Sequence, residues 1–159
     1  MWYNNRMLNN QIELSGFITI GPALDESGLS ELKDNGFKTI INLSKKGELE
    51  QPLEPLNEEA IVKELEMSYV HFPVSVSNIK AKHVDEFIEG ADKITGPVYI
   101  HCLLGQRSTT LGLILHAVKK KLSPEKILSK AEKLGVSWNA PFLRDFVSRN
   151  VDRLMKKPA

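Results

Sequence analysis

The only cysteine of the chain lies in the run Val98-Tyr99-Ile100-His101-Cys102-Leu103-Leu104-Gly105-Gln106-Arg107-Ser108. A short apolar strand leads into the thiol. A tight loop containing Gly105 follows, and Arg107 and Ser108 then open a helix. The thiolate is the reactive form of cysteine, and a helix N-terminus beside the sulfur favours it. Backbone N–H groups of residues 103 to 107 can turn inward as an anion nest. Leu103, Leu104, Gly105, Gln106 and Arg107 are therefore the expected oxyanion-binding residues. Gly105 permits the backbone angles of a tight turn. The guanidinium of Arg107 suits bidentate binding of tetrahedral oxyanions better than a lysine would. The hydroxyl of Ser108, or of Thr109, can hydrogen-bond the sulfur and ease its later departure. His101 is expected to orient the loop by hydrogen bonds. The chemistry is that of a cysteine nucleophile acting on an oxyanion, a phosphate ester foremost.

Elements that could hold this loop alternate along the chain. Residues 12 to 20 read as one β-strand and 26 to 35 as a helix stopped by Gly36. Strands follow at 38 to 43, 68 to 74 and 97 to 101. Asn57 is expected to cap a helix over 58 to 66, with Ile61, Val62 and Leu65 on one face. Val84, Phe87, Ile88 and Ala91 form the apolar face of a helix over 82 to 94. The helix after the cysteine loop is expected from Ser108 to Lys121, striped by Leu111, Ile114, Leu115 and Val118. Ser123-Pro124 opens the next helix, and residues 141 to 155 form the last, with Phe142, Phe146, Val147 and Leu154 available for packing. This pattern predicts an α/β domain with a mostly parallel sheet of four to five strands flanked by helices. Ligands of such sheets bind beyond the strands' carboxyl ends. The loops after Leu43, Val74 and His101 should therefore meet.

The 159 residues fit a single domain, with residues 1 to 11 as an N-terminal arm and 12 to 155 as the core. The net charge of +1 gives no global basic field for nucleic acid. No apolar run approaches the roughly 18 residues of a membrane span, and no apolar segment follows Met1 as a signal peptide requires. A lone thiol and no disulfide point to the reducing cytoplasm. His71, His83 and His116 show no metal-ligand spacing with one another or with Cys102, so no metal or organic cofactor is implied. His116, Trp138 and Lys119-Lys120-Lys121 read first as structural or solvated residues, and Trp138-Asn139 as a potential pocket wall. Trp2 and Tyr3 could anchor the arm. Lys45 and Lys46, behind the second long strand, could attract an anion.

His101-Cys102-x4-Arg107-Ser108 resembles the signature of cysteine-dependent phosphatases, of the dual-specificity branch in particular. The upstream segments GLSELKDNGFKTIINL and YVHFPV resemble those that precede this signature. Over about residues 14 to 135 the chain is similar to bacterial phosphatases grouped with the phosphatase-like domain of beta-lactamase-hydrolase-like proteins. The resemblance implies a tyrosine-phosphatase-like fold. It also implies a two-step reaction through a phosphocysteine, with Cys102 as nucleophile, Arg107 as phosphate ligand and a phosphoprotein or small phosphate ester as substrate.

Two departures keep other readings open. Tyrosine phosphatases space cysteine and arginine by one residue more than the four found here. Rhodanese-type sulfurtransferases resemble this chain in their short loop and carry a persulfide on the cysteine. Dual-specificity phosphatases also place an aspartic general acid where this chain reads Pro73-Val74-Ser75-Val76-Ser77. Val76 cannot protonate a leaving group, a step typically worth 10²–10⁴-fold. Glu48 and Glu50 are alternative acids by topology, whereas Asp85 reads as a solvated helix residue. A sulfurtransferase or a weakly active phosphate-binding module remain as rivals.

Overall fold

The computed structural model describes residues 10–157. Side-chain alternation along the strands decides which helix covers which face. In β3 (Thr39–Asn42) and β5 (Val98–His101), Ile40 and Tyr99 point to one side. There they meet Leu29 and Leu32 of α1 (Glu26–Asp34) and Val62 of α2 (Pro55–Glu64). Ile41, Val98 and Ile100 point to the other side, as the period of two requires. That face is covered by α3 (Ala81–Ala91), α4 (Gln106–Lys120), α5 (Pro124–Lys133) and α6 (Pro141–Met155).

The sheet has five strands in the order β1-β2-β5-β3-β4, where β1 is Ile12–Glu13, β2 is Ile18–Gly21 and β4 is Ser68–His71. β2, β5, β3 and β4 are parallel, and β1 is an antiparallel edge. The register sets Gly21, His101, Asn42 and His71 side by side at the carboxyl ends. Every loop leaving that end therefore starts from one line, with the fully buried β5 in its middle.

Several boundaries differ from the sequence expectations. Residues 12 to 20 form two strands rather than one. Leu14 N–H turns back onto Ile18 C=O at 2.9 Å, and Ser15 Oγ accepts from Phe17 and Ile18 N–H at 3.1 and 3.2 Å. This local serine turn outcompetes strand propensity. The second helix starts at Pro55 after Glu54, not at residue 58 after Asn57, because proline suits the first helical position. α4 begins at Gln106, two residues before Ser108, which places Arg107 in its first turn. Phe142 is half exposed, whereas Phe146 and Val147 of the same helix are buried. Trp2 and Tyr3 lie outside the described residues.

α4 lies close against β2 because Gly112 carries no side chain. A Cβ there would collide with the Ile20 Cγ2 methyl. Gly112→Ala gains helix propensity of about 1 kcal/mol but overpacks a fully buried contact, which typically costs 1–3 kcal/mol. The expected outcome is a net loss of stability, read as a lower urea midpoint. A midpoint equal to or above wild type would mean that α4 can shift away from β2 without cost.

Candidate active site

The cysteine loop is built by its carbonyl partners. His101 Nδ1 lies 3.1 Å from the Cys102 carbonyl oxygen, which can only accept, so Nδ1 carries the proton. Leu103 C=O accepts from Ala23 N–H at 3.2 Å. Gly105 C=O accepts from Thr109 N–H at 2.9 Å, with Ser108 Oγ 3.1 Å away. In a trans peptide the C=O and the following N–H point in opposite directions. The N–H groups of Leu103, Leu104 and Gln106 therefore face away from these partners. Gly105 N–H points at Cys102 Sγ, 3.1 Å away, from a backbone with φ of +108°. Glycine adopts that angle readily, and a side chain there would be strained. α4 makes its first intrahelical bond at Thr109, so the preceding N–H groups are the free donors of a helix start.

Cys102 is buried. Its thiol donates to Ser108 Oγ at 3.7 Å, and that hydroxyl in turn donates to Gly21 C=O at 2.9 Å. Ser108 thus sits against the sulfur as expected, while no Thr109 side-chain contact to it is seen among the described residues. Leu104 is exposed on the loop, and Gln106 and Thr109 join Leu104, Val136 and Asn139 along an adjoining cleft.

The loops after β3, β4 and β5 do meet, and Arg107 joins them. Its Nη1 donates to Glu48 Oε2 at 2.7 Å and to Val74 C=O at 3.0 Å. Its Nη2 donates to Glu48 Oε1 at 2.8 Å. Glu48 thus grips the outer end of the guanidinium. Of five donors this uses three, leaving Nε–H and the second Nη2–H, which lie along one edge and form a second fork. The guanidinium is held cationic first by its hydrogen bond to Glu48, against the cost of its burial. Glu48 is held below the ordinary carboxylate value first by its hydrogen bond to Arg107, and then by the Lys45 backbone N–H. A carboxylate so held is ionised at neutral pH and has no proton to give, so it is unsuited to be a general acid. Sequence reasoning offered Glu48 only as an acid; its position on a loop opposite Arg107 was the signal for a charge partner.

Beneath the loop lies a polar network that the sequence reading missed. His101 Nε2 is 2.6 Å from Glu58 Oε2, and both residues are buried. Glu58 Oε1 accepts from Asn42 Nδ2 and from Tyr69 OH, each at 2.8 Å. Asn42 Oδ1 accepts from Ser44 N–H at 2.8 Å. Tyr99 stacks on His101 with ring centroids 6.0 Å apart. Both nitrogens of His101 are engaged, consistent with an orienting role. Glu58 stands three and four residues before Ile61 and Val62, on the stripe that faces the core. A carboxylate at an apolar-stripe position was the available signal.

The remaining singled-out residues lie elsewhere. Val76 opens a short 3₁₀ turn, Val76–Asn78, that contains no carboxylate. Glu50 is exposed. Asp85 pairs with Arg153 of α6 at 3.0 Å. Lys45 and Lys46 are exposed, and Lys119 lies over the Phe17 ring. His116 is buried on α4, and burial first, then Lys130 and Lys120, pushes its ring down to about 4. Among the described residues no three His, Cys, Asp or Glu side chains cluster as a metal site, and no helix is long and apolar enough to cross a membrane.

Residues 12–119, more than half of the chain, match the family described as beta-lactamase hydrolase-like protein, phosphatase-like domain. The chain belongs to this family. Solved structures agree at the level of the fold. A candidate phosphatase from Neisseria meningitidis Z2491 is 21% identical, with 87% of this chain and 96% of that chain covered and a TM-score of 0.73. A second, from Shewanella putrefaciens CN-32, is 20% identical, covering 93% and 97% with a TM-score of 0.74. The core catalytic domain of the PP-IP phosphatase SIW14 from S. cerevisiae is 16% identical, covering 87% and 83% with a TM-score of 0.69. No curated protein matches the chain. The phosphatase-like domain family and the tyrosine-phosphatase-like fold inferred from the sequence both stand.

The Glu48 grip makes a specific demand on ligand binding. Glu48→Gln keeps the shape of the side chain and removes its charge. Inorganic phosphate, read as protection of Cys102 from iodoacetamide, should bind about tenfold more weakly, the scale of one charge-assisted hydrogen bond. In wild type the pair contributes fully above the ordinary carboxyl value of 4.5 and is lost as pH falls through the lowered Glu48 value. Unchanged phosphate protection in Glu48→Gln would show that Arg107 needs no anchor.

Proposed function

We propose that the protein is a cysteine-dependent phosphatase that hydrolyses phosphate monoesters through a phosphocysteine. One observation carries this reading: Glu48 occupies the outer end of the Arg107 guanidinium and leaves Nε–H and one Nη2–H outside its grip, on a side chain that also interacts with Cys102. That is the fork a tetrahedral oxyanion takes. Membership of the phosphatase-like domain family supports it. In this mechanism the Cys102 thiolate attacks phosphorus and an S–P bond forms as the P–O bond to the leaving group breaks. Arg107 and the loop N–H groups hold the non-bridging oxygens as their charge develops. Water then attacks phosphorus, and the S–P pair returns to sulfur as thiolate, stabilised by the Gly105 N–H and the Ser108 hydroxyl.

Departure of the leaving group is the weak point. Val76 stands where the general acid would be, Glu48 is held ionised by Arg107, and Asp85 is paired with Arg153. The leaving group therefore departs largely without a proton from a carboxylic acid. Substrates whose leaving group is already a stable anion suit such a site, among them aryl phosphates, acyl phosphates and phosphoric anhydrides. The yeast relative SIW14 is named a PP-IP phosphatase. A reactive thiol in this role is in keeping with a cytoplasmic site of action. The four-residue loop fits the persulfide of a sulfurtransferase as well, and the adduct on Cys102 after turnover separates the two.

Activity on activated aryl phosphates should exceed that on alkyl phosphates by at least the 10²-fold that general acid help typically supplies. Cys102→Ser should abolish both, and Val76→Asp should raise the alkyl rate selectively. Brisk alkyl phosphate turnover by wild type, removed by Glu50→Gln, would place the acid on the loop after β3 instead.

A further inference from the structure

The buried network beneath His101 has a geometry that reaches the cysteine loop. Three donors converge on Glu58, from His101 Nε2, Asn42 Nδ2 and Tyr69 OH. The 2.6 Å Nε2 to Oε2 contact requires a proton between the two atoms. Nδ1 already carries a proton, because its partner is a carbonyl. The ring and the carboxyl together therefore hold two protons, one on each side of the imidazole. Were Glu58 absent, nothing would hold Nε2, and the ring could turn about its Cβ–Cγ bond and carry Nδ1–H away from the Cys102 carbonyl. The carbonyl would then lose its donor, and rotation of the Cys102–Leu103 peptide unit is the cheapest way for it to find another. Because the peptide is planar, that rotation would move the Leu103 N–H off the concave side of the loop and bring a carbonyl toward it. A carbonyl aimed at an oxyanion opposes binding.

We propose that Glu58 is a positioning residue for the cysteine loop. It holds the His101 ring in the orientation that presents Nδ1–H to the Cys102 carbonyl, and so holds the Cys102–Leu103 peptide with its N–H turned to the ligand. Glu58 itself touches neither sulfur nor substrate. It is placed for this by α2, whose start at Pro55 puts residue 58 in the first turn and its carboxylate under β5. Asn42, at the carboxyl end of β3, and Tyr69 of β4 hold the other carboxylate oxygen. Acting through His101, the network has one consequence that burial alone does not: it sets the sign of one loop dipole. The inference rests on the reading that the loop binds an oxyanion.

The test pairs two variants of nearly equal volume with a direct view of the ring. Glu58→Met removes every oxygen, and Glu58→Gln keeps an amide that can hydrogen-bond Nε2 and so hold the ring in place. Phosphate protection of Cys102 from iodoacetamide should weaken at least tenfold in Glu58→Met, while alkylation without phosphate changes less than about threefold. Glu58→Gln should stay within about threefold of wild type for phosphate. A merely structural role would instead scale both readouts with thermal stability. Nitrogen-15 NMR of the imidazole should show a protonated Nδ1 in wild type and in Glu58→Gln. A folded Glu58→Met with phosphate affinity within threefold of wild type would overturn the proposal, as would a bare Nδ1 in the wild-type ring. If Glu58→Met does not fold, the NMR result and Glu58→Gln decide alone. Absence of phosphate protection in wild type would instead overturn the oxyanion reading itself.

Discussion

A loop that binds an anion through its backbone must send its carbonyls elsewhere. Each peptide unit carries one donor and one acceptor pointing opposite ways, so an inward N–H requires an occupied outward C=O. In this protein the occupants are a histidine ring, the backbone of the loop after β2, and the first turn of α4. The aligned carboxyl ends of β2, β5 and β3 supply those occupants at the needed places. Gly105 closes the turn and puts its own N–H on the sulfur. The remaining architecture serves to keep these partners fixed.

Charge is divided in the same economical way. Arg107 brings a cation to the mouth of the loop, and Glu48 neutralises its outer end without covering the edge beside the thiol. A buried or half-buried cation left without a partner would be costly. One gripped at both ends by carboxylates would have too few donors left for a bidentate ligand. The bidentate grip at one end meets both limits, and the Val74 carbonyl, on the loop after β4, takes the other Nη1 donor. The same arrangement explains why the acid expected from that loop cannot be replaced by Glu48: the positioning of the arginine consumes it.

What the sequence made legible was local. The strand, cysteine, glycine and arginine stand together in the chain, and their spacing is enough to expect the loop, the helix start and the meeting of three loops. Apolar periodicity likewise marked the faces of α3, α4 and α6, though it overstated Phe142, which is half exposed. The serine turn at Ser15 and the proline start at Pro55 were misplaced because a side-chain hydrogen bond or a ring constraint won over propensity. The role of Glu58 went unread for a different reason. Its partners come from positions 42, 69 and 101, and only the sheet register brings them together.

The central claim is that Cys102 forms a covalent bond to phosphorus. The most direct measurement is intact-protein and peptide mass spectrometry of the protein quenched in acid during turnover of an aryl phosphate. The account predicts a phosphoryl adduct on the peptide carrying Cys102, absent from Cys102→Ser and accumulating when leaving-group departure is fast relative to hydrolysis. A Cys102 that carries sulfur after exposure to thiosulfate, and never phosphorus under any aryl phosphate, would contradict it.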